Sequence, residues 1–255
     1  MQNYDIAVIG GGAGGLVVAS VAAQLGLNVA LLEKEKQLGG DCLHYGCVPS
    51  KSLLRCAHVA HMVRHAGDYG TDVGNTSTDM QQVNAYINHA VQTIQRHDSH
   101  ERFSEIGCDI YTGGARFVSA HCIRVDDTEL RAKRFVIATG SFARIPDIEG
   151  IQSVDYLTNE DMFSLETRPE HLLILGAGPV GVEMAQAYAR LGSRVSLIEQ
   201  AQRILPRFDR DISRQLKQQL LADGVNIVHG AVERVQQQGD VRTLVLDDGR
   251  ELSGD

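Results

Sequence analysis

Residues 4–33 and 170–199 repeat one pattern: an apolar strand, a glycine cluster, a helical stretch, Leu-Gly, a second apolar strand and a closing glutamate. The copies read YDIAVIGGGAGGLVVASVAAQLGLNVALLE and EHLLILGAGPVGVEMAQAYARLGSRVSLIE. In each, the first glycine and the glutamate are 23 residues apart, Gly10 to Glu33 and Gly176 to Glu199. The copies lie 166 positions apart, far beyond the period of a solenoid, which is about 20–50 residues. Two separate nucleotide-binding units on one chain are the reading that fits. The expected fold class is α/β, with two Rossmann-like three-layer units and a boundary near residue 150, giving domains 1–150 and 151–255.

The chemistry of the repeat lies in its glycines. Gly10 permits a tight turn after the strand Ile6–Ile9, Gly12 lets the backbone approach a pyrophosphate, and Gly15 lets helix and strand pack closely. Ala13 and Gly14 begin the helix, whose free N–H groups and partial positive charge suit phosphates. Glu33 can accept hydrogen bonds from ribose hydroxyls, with Lys34 beside it. The second copy, Gly176-Ala177-Gly178-Pro179-Val180-Gly181, ends on Glu199. A carboxylate there favours a free 2′-hydroxyl over a 2′-phosphate, so NAD(H) is expected over NADP(H). Arg203 and Arg207 lie just beyond and are the residues able to offset that preference.

Net charge is -8 over 255 residues with pI near 5.7, and no basic stripe stands out, which argues against nucleic-acid binding. Five cysteines are too few for a secreted disulfide scaffold. Ile6 to Ala23 carries no charge and resembles a membrane span in length. Five glycines interrupt it and no basic segment precedes it, so a soluble, cytoplasmic protein without membrane contact is expected.

Between the copies the pattern is α/β. Ser50–Ala66 and Asp79–Ile106 read as helices, the latter with Met80, Val83, Ile87, Val91 and Ile94 on one face. Strands are expected at Ile110–Val118, Ile123–Asp126 and Phe135–Ala138. A helix near 209–223 and strands near 225–235 and 241–247 follow, before the turn signal Asp247-Asp248-Gly249-Arg250.

The most specific segment is Gly39-Gly40-Asp41-Cys42-Leu43-His44-Tyr45-Gly46-Cys47-Val48-Pro49-Ser50-Lys51. Two cysteines five apart can meet across a helical turn, and a helix start with a nearby lysine favours thiolate. The segment resembles GGTCxNxGCVPSK of the flavoprotein pyridine nucleotide–disulfide oxidoreductases, which include dihydrolipoamide dehydrogenase, glutathione reductase and mercuric reductase. The resemblance runs along the whole chain in the family's order, through Gly113-Gly114-Ala115 and Ala138-Thr139-Gly140-Ser141 to the second glycine fingerprint.

That resemblance implies FAD as cofactor and a dithiol–disulfide relay. Gly10 to Gly15 and Glu33 would hold the ADP half of FAD, with Gly114 and Ala115 at the adenine. Gly39, Gly40, Asp41 and Thr139 to Ser141 would line the rest of the cofactor site. Cys47 would face the flavin and Cys42 would exchange with substrate. Lys51 matches a lysine beside the flavin, and Glu183 the acid that pairs with it. Gly176 to Gly181, Glu199 and Val232 match the NAD contacts. Family members preferring NADP carry arginines at the positions of Gln200 and Pro206, neither of which is basic here.

The sequence also departs from the family. Asp41 replaces a threonine and is expected to raise the neighbouring thiol's pKa. His44 replaces an asparagine, Pro179 a tyrosine that covers the flavin in many members, and Ala143 a frequent proline. The family's C-terminal dimerisation domain, with its acid–base pair, is expected to be absent, and a homodimer is expected of a full-length protein. The substrate class implied is a small disulfide or lipoyl compound, most simply in a dihydrolipoamide dehydrogenase-like enzyme. Alternatives are a mercuric reductase-like or otherwise unassigned reductase of the family, and a non-catalytic FAD-binding fragment. No metal site is expected: Cys42, His44 and Cys47 lack zinc spacing, and His58, His61 and His65 read as a solvated helix face.

Overall fold

The computed structural model describes residues 2–255. In chain order the elements are β1 (Gln2–Ile9), α1 (Ala13–Gln24), β2 (Val29–Glu33), α2 (Gly40–His44), α3 (Cys47–Arg64), α4 (Met80–Gln95), α5 (His100–Glu105), β3 (Cys108–Thr112), β4 (Ala115–Ser119), β5 (Cys122–Val125) and β6 (Thr128–Ile137). They continue as β7 (His171–Leu175), α6 (Pro179–Leu191), β8 (Arg194–Glu199), α7 (Arg210–Ala222), β9 (Val225–His229), β10 (Val232–Gln238), β11 (Val241–Leu246) and β12 (Glu251–Gly254). Two compact units form, each discontinuous in sequence: Met1–Pro49 with Ile87–Ala143, and Ser50–Tyr86 with Arg144–Asp255.

The first unit is built on a six-stranded sheet of order β3-β2-β1-β6-β5-β4. The pairs β1–β2, β2–β3 and β1–β6 are parallel, and β4–β5 and β5–β6 antiparallel. On one face α1 and α5 pack Leu16, Ala19, Ala22 and Phe103 against Val8, Val29 and Leu31. On the other, Ile123, Val125 and Leu130 of the antiparallel strands meet Tyr4, Ala7, Ala30 and Leu32. Helix, sheet and antiparallel cover are the three layers expected. The chain leaves β1 at the point where its neighbours diverge to β2 and β6, which is where open α/β sheets hold ligands.

The second unit repeats the scheme with a parallel sheet β7-β8-β9 and an antiparallel sheet β10-β11-β12. Val235, Leu244 and Leu246 of the latter pack on Ile198 and Val228 of the former. Helix α6 starts with Pro179 in its first turn, where the missing N–H costs nothing, and stops at Gly192, whose φ of 102° suits only glycine at that cap.

Several expected elements are divided. The helix expected over Asp79–Ile106 is two helices, because Ser99 accepts from the Arg102 N–H at 3.3 Å and restarts the chain as α5. The strand expected over Ile110–Val118 breaks at Gly113, with φ 145°, and that over 225–235 breaks at Gly230, with φ 156°. The apolar stretch Ile6–Ala23 is strand, turn and helix. No helix among the described residues is long and apolar enough to cross a membrane.

Candidate functional site

In the first unit, Gly10 takes a φ of 107° between β1 and α1, and its N–H donates to the Leu32 carbonyl at 2.7 Å. A Cβ at Gly10 would overlap the Ala138 carbonyl oxygen, and one at Gly15 the Gly10 carbonyl oxygen. Those two glycines serve the fold. Gly12 and Gly14 differ: a Cβ at Gly12 would meet only the Gly40 Cα, at 3.7 Å, and one at Gly14 nothing within 4 Å. The open space lies at the N-terminus of α1, which has no side-chain cap and no acidic residue in its first turn. Free N–H groups beside open space fit a pyrophosphate.

Glu33, at the end of β2, is 8% exposed. Its Oε2 accepts from the Gly11 N–H at 2.6 Å and its Oε1 from the Glu35 N–H at 3.0 Å. These two bonds fix the carboxylate while leaving lone pairs for hydroxyl donors. The Gly113 N–H donates to the Glu33 carbonyl at 2.8 Å, bringing Gly114 and Ala115 alongside. Thr139 lies beside Gly10, and Gly140 and Ser141 follow it, all three exposed. Lys34 is exposed and, among the described residues, pairs only with Glu35, at 3.5 Å. Gly11 lies within the Gly10–Gly15 stretch expected at the ADP half of FAD, and its N–H is committed to the Glu33 carboxylate.

The second unit reproduces the arrangement. Glu199 is also 8% exposed, and accepts from the Ala177 and Ala201 N–H groups at 2.8 Å each. A Cβ at Gly181 would overlap the Gly176 carbonyl oxygen, whereas Gly176 and Gly178 face open space. Val180 is exposed at the start of α6. Val232 packs against the core and borders a bulge in β10. Arg203 donates to the carbonyls of Phe208, at 2.7 Å, and Pro206, at 2.5 Å, which closes it on its own loop.

The cysteine segment is folded against the first glycine loop. The Gly39 N–H donates to the Gly11 carbonyl at 2.8 Å, and Gly12 and Gly39 form a parallel bridge. Gly39 and Gly40 have φ of 117° and 58°, so the close approach needs glycine at both positions. Cys42 sits in α2 and Cys47 opens α3. Between them Gly46 allows the tight return, since a Cβ there would be 2.9 Å from the Asp41 carbonyl oxygen. Both cysteines are thiols, Cys47 exposed and Cys42 half-buried, and they are hydrogen-bonded to each other. Burial, then the neighbouring Cys47, pushes the Cys42 thiol up, and a Cys47 N–H bond opposes the rise. The carboxylate that adds to the rise is Asp98, not Asp41 as expected from sequence.

His44, the departure from asparagine, is a pin: its Nε2 lies 3.1 Å from the Leu38 carbonyl. Gln95 Nε2 donates to the same carbonyl at 3.1 Å and to the Asp98 carbonyl at 2.8 Å. Gln95 and Asp98 escaped sequence reading because they reach the segment from more than fifty residues away. In the second unit, Lys51 Nζ donates to both carboxylate oxygens of Glu183, at 2.6 and 2.7 Å.

The histidine face of α3 differs from the solvated one expected. His58 and His65 are exposed, but His61 is half-buried, 3.9 Å from Asp223, and its pKa is lowered by burial and then by Arg190. Asp223 is held by Arg190 at 3.0 Å. No group of three or more His, Cys, Asp or Glu among the described residues is placed to hold a metal ion.

Two glycine loops, each with a buried glutamate clamped by backbone, and a cysteine pair folded onto the first loop define a class of dinucleotide-dependent redox protein. Residues 4–255 match the pyridine nucleotide-disulphide oxidoreductase family, and the chain belongs to it. A mercuric reductase of Lysinibacillus sphaericus is 33% identical over 246 residues, 96% of this chain and 45% of that protein. The dihydrolipoyl dehydrogenase of Bacillus subtilis (strain 168) is 35% identical over 243 residues, 90% of this chain and 51% of that protein. Among solved structures, the Cu(II) complex of the HOCl-induced flavoprotein disulfide reductase RclA from Escherichia coli superposes with a TM-score of 0.84 at 29% identity, covering 98% of this chain and 54% of that one. The chain spans about half the length of the curated relatives it matches.

Proposed function

We propose that this chain carries the cofactor-binding and redox part of an FAD-dependent NADH:disulfide oxidoreductase, with FAD on residues 1–150 and NAD(H) on residues 151–255. The observation that carries the reading is one geometry occurring twice. Glu33 is clamped by Gly11 and Glu35, and Glu199 by Ala177 and Ala201, with two touching thiols between them in sequence.

FAD bound in the first unit supplies two-electron exchange between a nicotinamide and a disulfide. The chain's own residues bind, orient and exchange. The α1 N–H groups beyond Gly12 would hold the pyrophosphate, Glu33 would accept from the adenosine ribose, and Gly114 and Ala115 would border the adenine. In the reduced pair the Cys42 sulfur attacks a substrate disulfide and releases one thiol. Cys47 then attacks the mixed disulfide, releasing the second thiol and re-forming the Cys42–Cys47 bond. The net reaction converts NADH, a proton and a disulfide into NAD⁺ and two thiols, and runs in reverse for a dihydrolipoyl substrate.

Preference for NAD(H) is supported by the buried Glu199, by Arg203 being closed on its own loop, and by the uncharged Gln200 and Pro206. Lys51 and Glu183 are assigned to the nicotinamide side, where the pair orients a lysine ammonium. The dihydrolipoyl dehydrogenase relative supports a lipoyl or other small disulfide substrate. Family resemblance supports a cytoplasmic homodimer.

A second reading is favoured by the mercuric reductase relative and the RclA copper complex: the reduced thiols would take a soft metal ion as substrate. The test is NADH oxidation by the FAD-loaded chain, with lipoamide or Hg(II) as acceptor. Turnover with lipoamide supports the first reading, and turnover with Hg(II) alone the second. FAD uptake with neither makes the chain a non-catalytic flavin-binding fragment.

A further inference from the structure

Away from the nucleotide loops, the second unit holds a cleft of about 950 Å³ between α3, the segment before α4, and the C-terminus of α6. Its lining combines apolar side chains from three helices, Val59, Val63, Val83 and Leu191, with the guanidiniums of Arg55, Arg64 and Arg168 and the hydroxyls of Thr76, Ser77 and Thr78. Such a concentration of guanidinium groups is unexpected on a chain of net charge -8.

The polar groups are not equally committed. Arg64 donates to the Arg190 carbonyl at 2.5 Å and Arg168 to the Gly192 carbonyl at 2.6 Å, so both answer the free carbonyls at the end of α6. The lining carboxylate, Asp79, accepts from the Gln81 N–H at 2.9 Å and caps α4. Arg55 makes no ion pair or hydrogen bond among the described residues, and neither do the hydroxyls of Thr76, Ser77 and Thr78. Four polar side chains without partners among the described residues thus line the cleft beside apolar ones.

We propose that this cleft is a binding site for an amphipathic organic anion, a carboxylate, sulfonate or phosphate ester on an apolar body. The anionic head meets Arg55 and the three hydroxyls, and the body lies on Val59, Val83 and Leu191. The combination follows the usual make-up of a small-molecule pocket, mostly apolar with a few convergent polar groups. Charge on Arg55 supplies the selection for anions, because the other two guanidiniums already serve the helix end. None of its lining residues belongs to a glycine loop, and the proposal does not depend on the redox reading.

The cleft has a built-in reporter, since Cys56 lines it and is half-buried. The test uses the full 255-residue chain saturated with FAD and NAD⁺, in a Cys42→Ser/Cys47→Ser background. Anilinonaphthalene sulfonate serves as the anionic apolar probe. Cys56 labelling is compared between the dianionic dithiobis(nitrobenzoate) and the neutral dithiodipyridine, whose ratio cancels the thiol's own ionisation. The proposal expects one saturable probe site, weakened by salt, at least about tenfold weaker in Arg55→Glu, with an anionic-to-neutral labelling ratio that falls by a similar factor. Arg55 is exposed and unbonded, so the variant should keep the parent melting temperature. Probe binding unchanged in Arg55→Glu, or a labelling ratio indifferent to that charge, would overturn it. Should Arg55→Glu fail to fold, Thr78→Val and Ser77→Ala give the same reading from the hydroxyl side.

Discussion

Lys51 Nζ lies 2.6 Å from Glu183 Oε1 and 2.7 Å from Oε2, although the two residues are 132 apart in sequence. The lysine side chain is 60% exposed and the glutamate 35%, so the pair contributes at most about 1 kcal/mol to stability. Its value lies in position. Glu183→Gln is therefore expected to leave the melting temperature within about 3 °C, while slowing flavin reduction by NADH about tenfold or more. Stopped-flow reduction and calorimetry on one preparation separate the two effects. A fall in stability with unchanged reduction would reverse the assignment.

The two kinds of glycine in the first loop predict opposite failures. Gly15→Ala puts a Cβ onto the Gly10 carbonyl oxygen, so the helix must move off the strand. A loss of roughly 2–4 kcal/mol of stability is expected, as for overpacked sites with backbone shifts. Gly12→Ala has room in the protein and an ordinary extended backbone, with φ -82°. It should fold normally and lose FAD affinity, because the methyl group enters the phosphate space. Urea unfolding of the apoprotein and FAD fluorescence titration distinguish the two variants.

The proposed function gives Glu199 a second duty beyond clamping its loop, and one substitution should reveal both. In Glu199→Ala the N–H groups of Ala177 and Ala201 lose their partner, for a cost of about 1–3 kcal/mol. The same change removes the repulsion of a 2′-phosphate. The ratio of kcat/KM for NADH over NADPH is expected to fall about tenfold or more. A ratio that does not change would place the cofactor discrimination elsewhere, with Arg207 the next residue to replace.

Thiol titration should separate the two carboxylates near the cysteine pair. Burial and Cys47 raise the Cys42 pKa above its ordinary value of 9.0, and Asp98 adds to the rise. A raised thiol pKa means less thiolate at neutral pH. Alkylation of Cys42 in a Cys47→Ser background loses part of that rise, so the wild-type pair should show the later midpoint as pH increases. Asp98→Asn should bring the midpoint down, and Asp41→Asn should leave it in place. Mass-resolved iodoacetamide labelling across pH reads both.

Much of this was written in local sequence, and the rest was not. The repeat Gly10–Glu33 and Gly176–Glu199 announced both parallel units, because strand, glycine turn and helix are set within about thirty residues. The approach of Cys42 to Cys47 was legible for the same reason, because a spacing of five lets two cysteines meet across a helical turn. Breaks at Gly113 and Gly230 were missed because periodicity does not distinguish a strand from two strands with a kink at positive φ. Asp98 and Gln95 reach Cys42 and Leu38 only through tertiary packing, and no pattern near residues 39–51 points to them. Likewise His61 looked solvated on its helix, and only the fold brings Asp223 and Arg190 to it.

The proposed function requires electrons to pass from NADH through FAD to the Cys42–Cys47 pair. An anaerobic titration with NADH of the FAD-loaded chain, its Cys42–Cys47 pair first oxidised to the disulfide, following the visible spectrum and the thiol count together, tests it most directly. The account predicts that the first equivalent of NADH exposes two new thiols and produces a long-wavelength absorbance that Cys47→Ser abolishes. Full bleaching of the flavin by that first equivalent, with no new thiols and no long-wavelength absorbance, would contradict it.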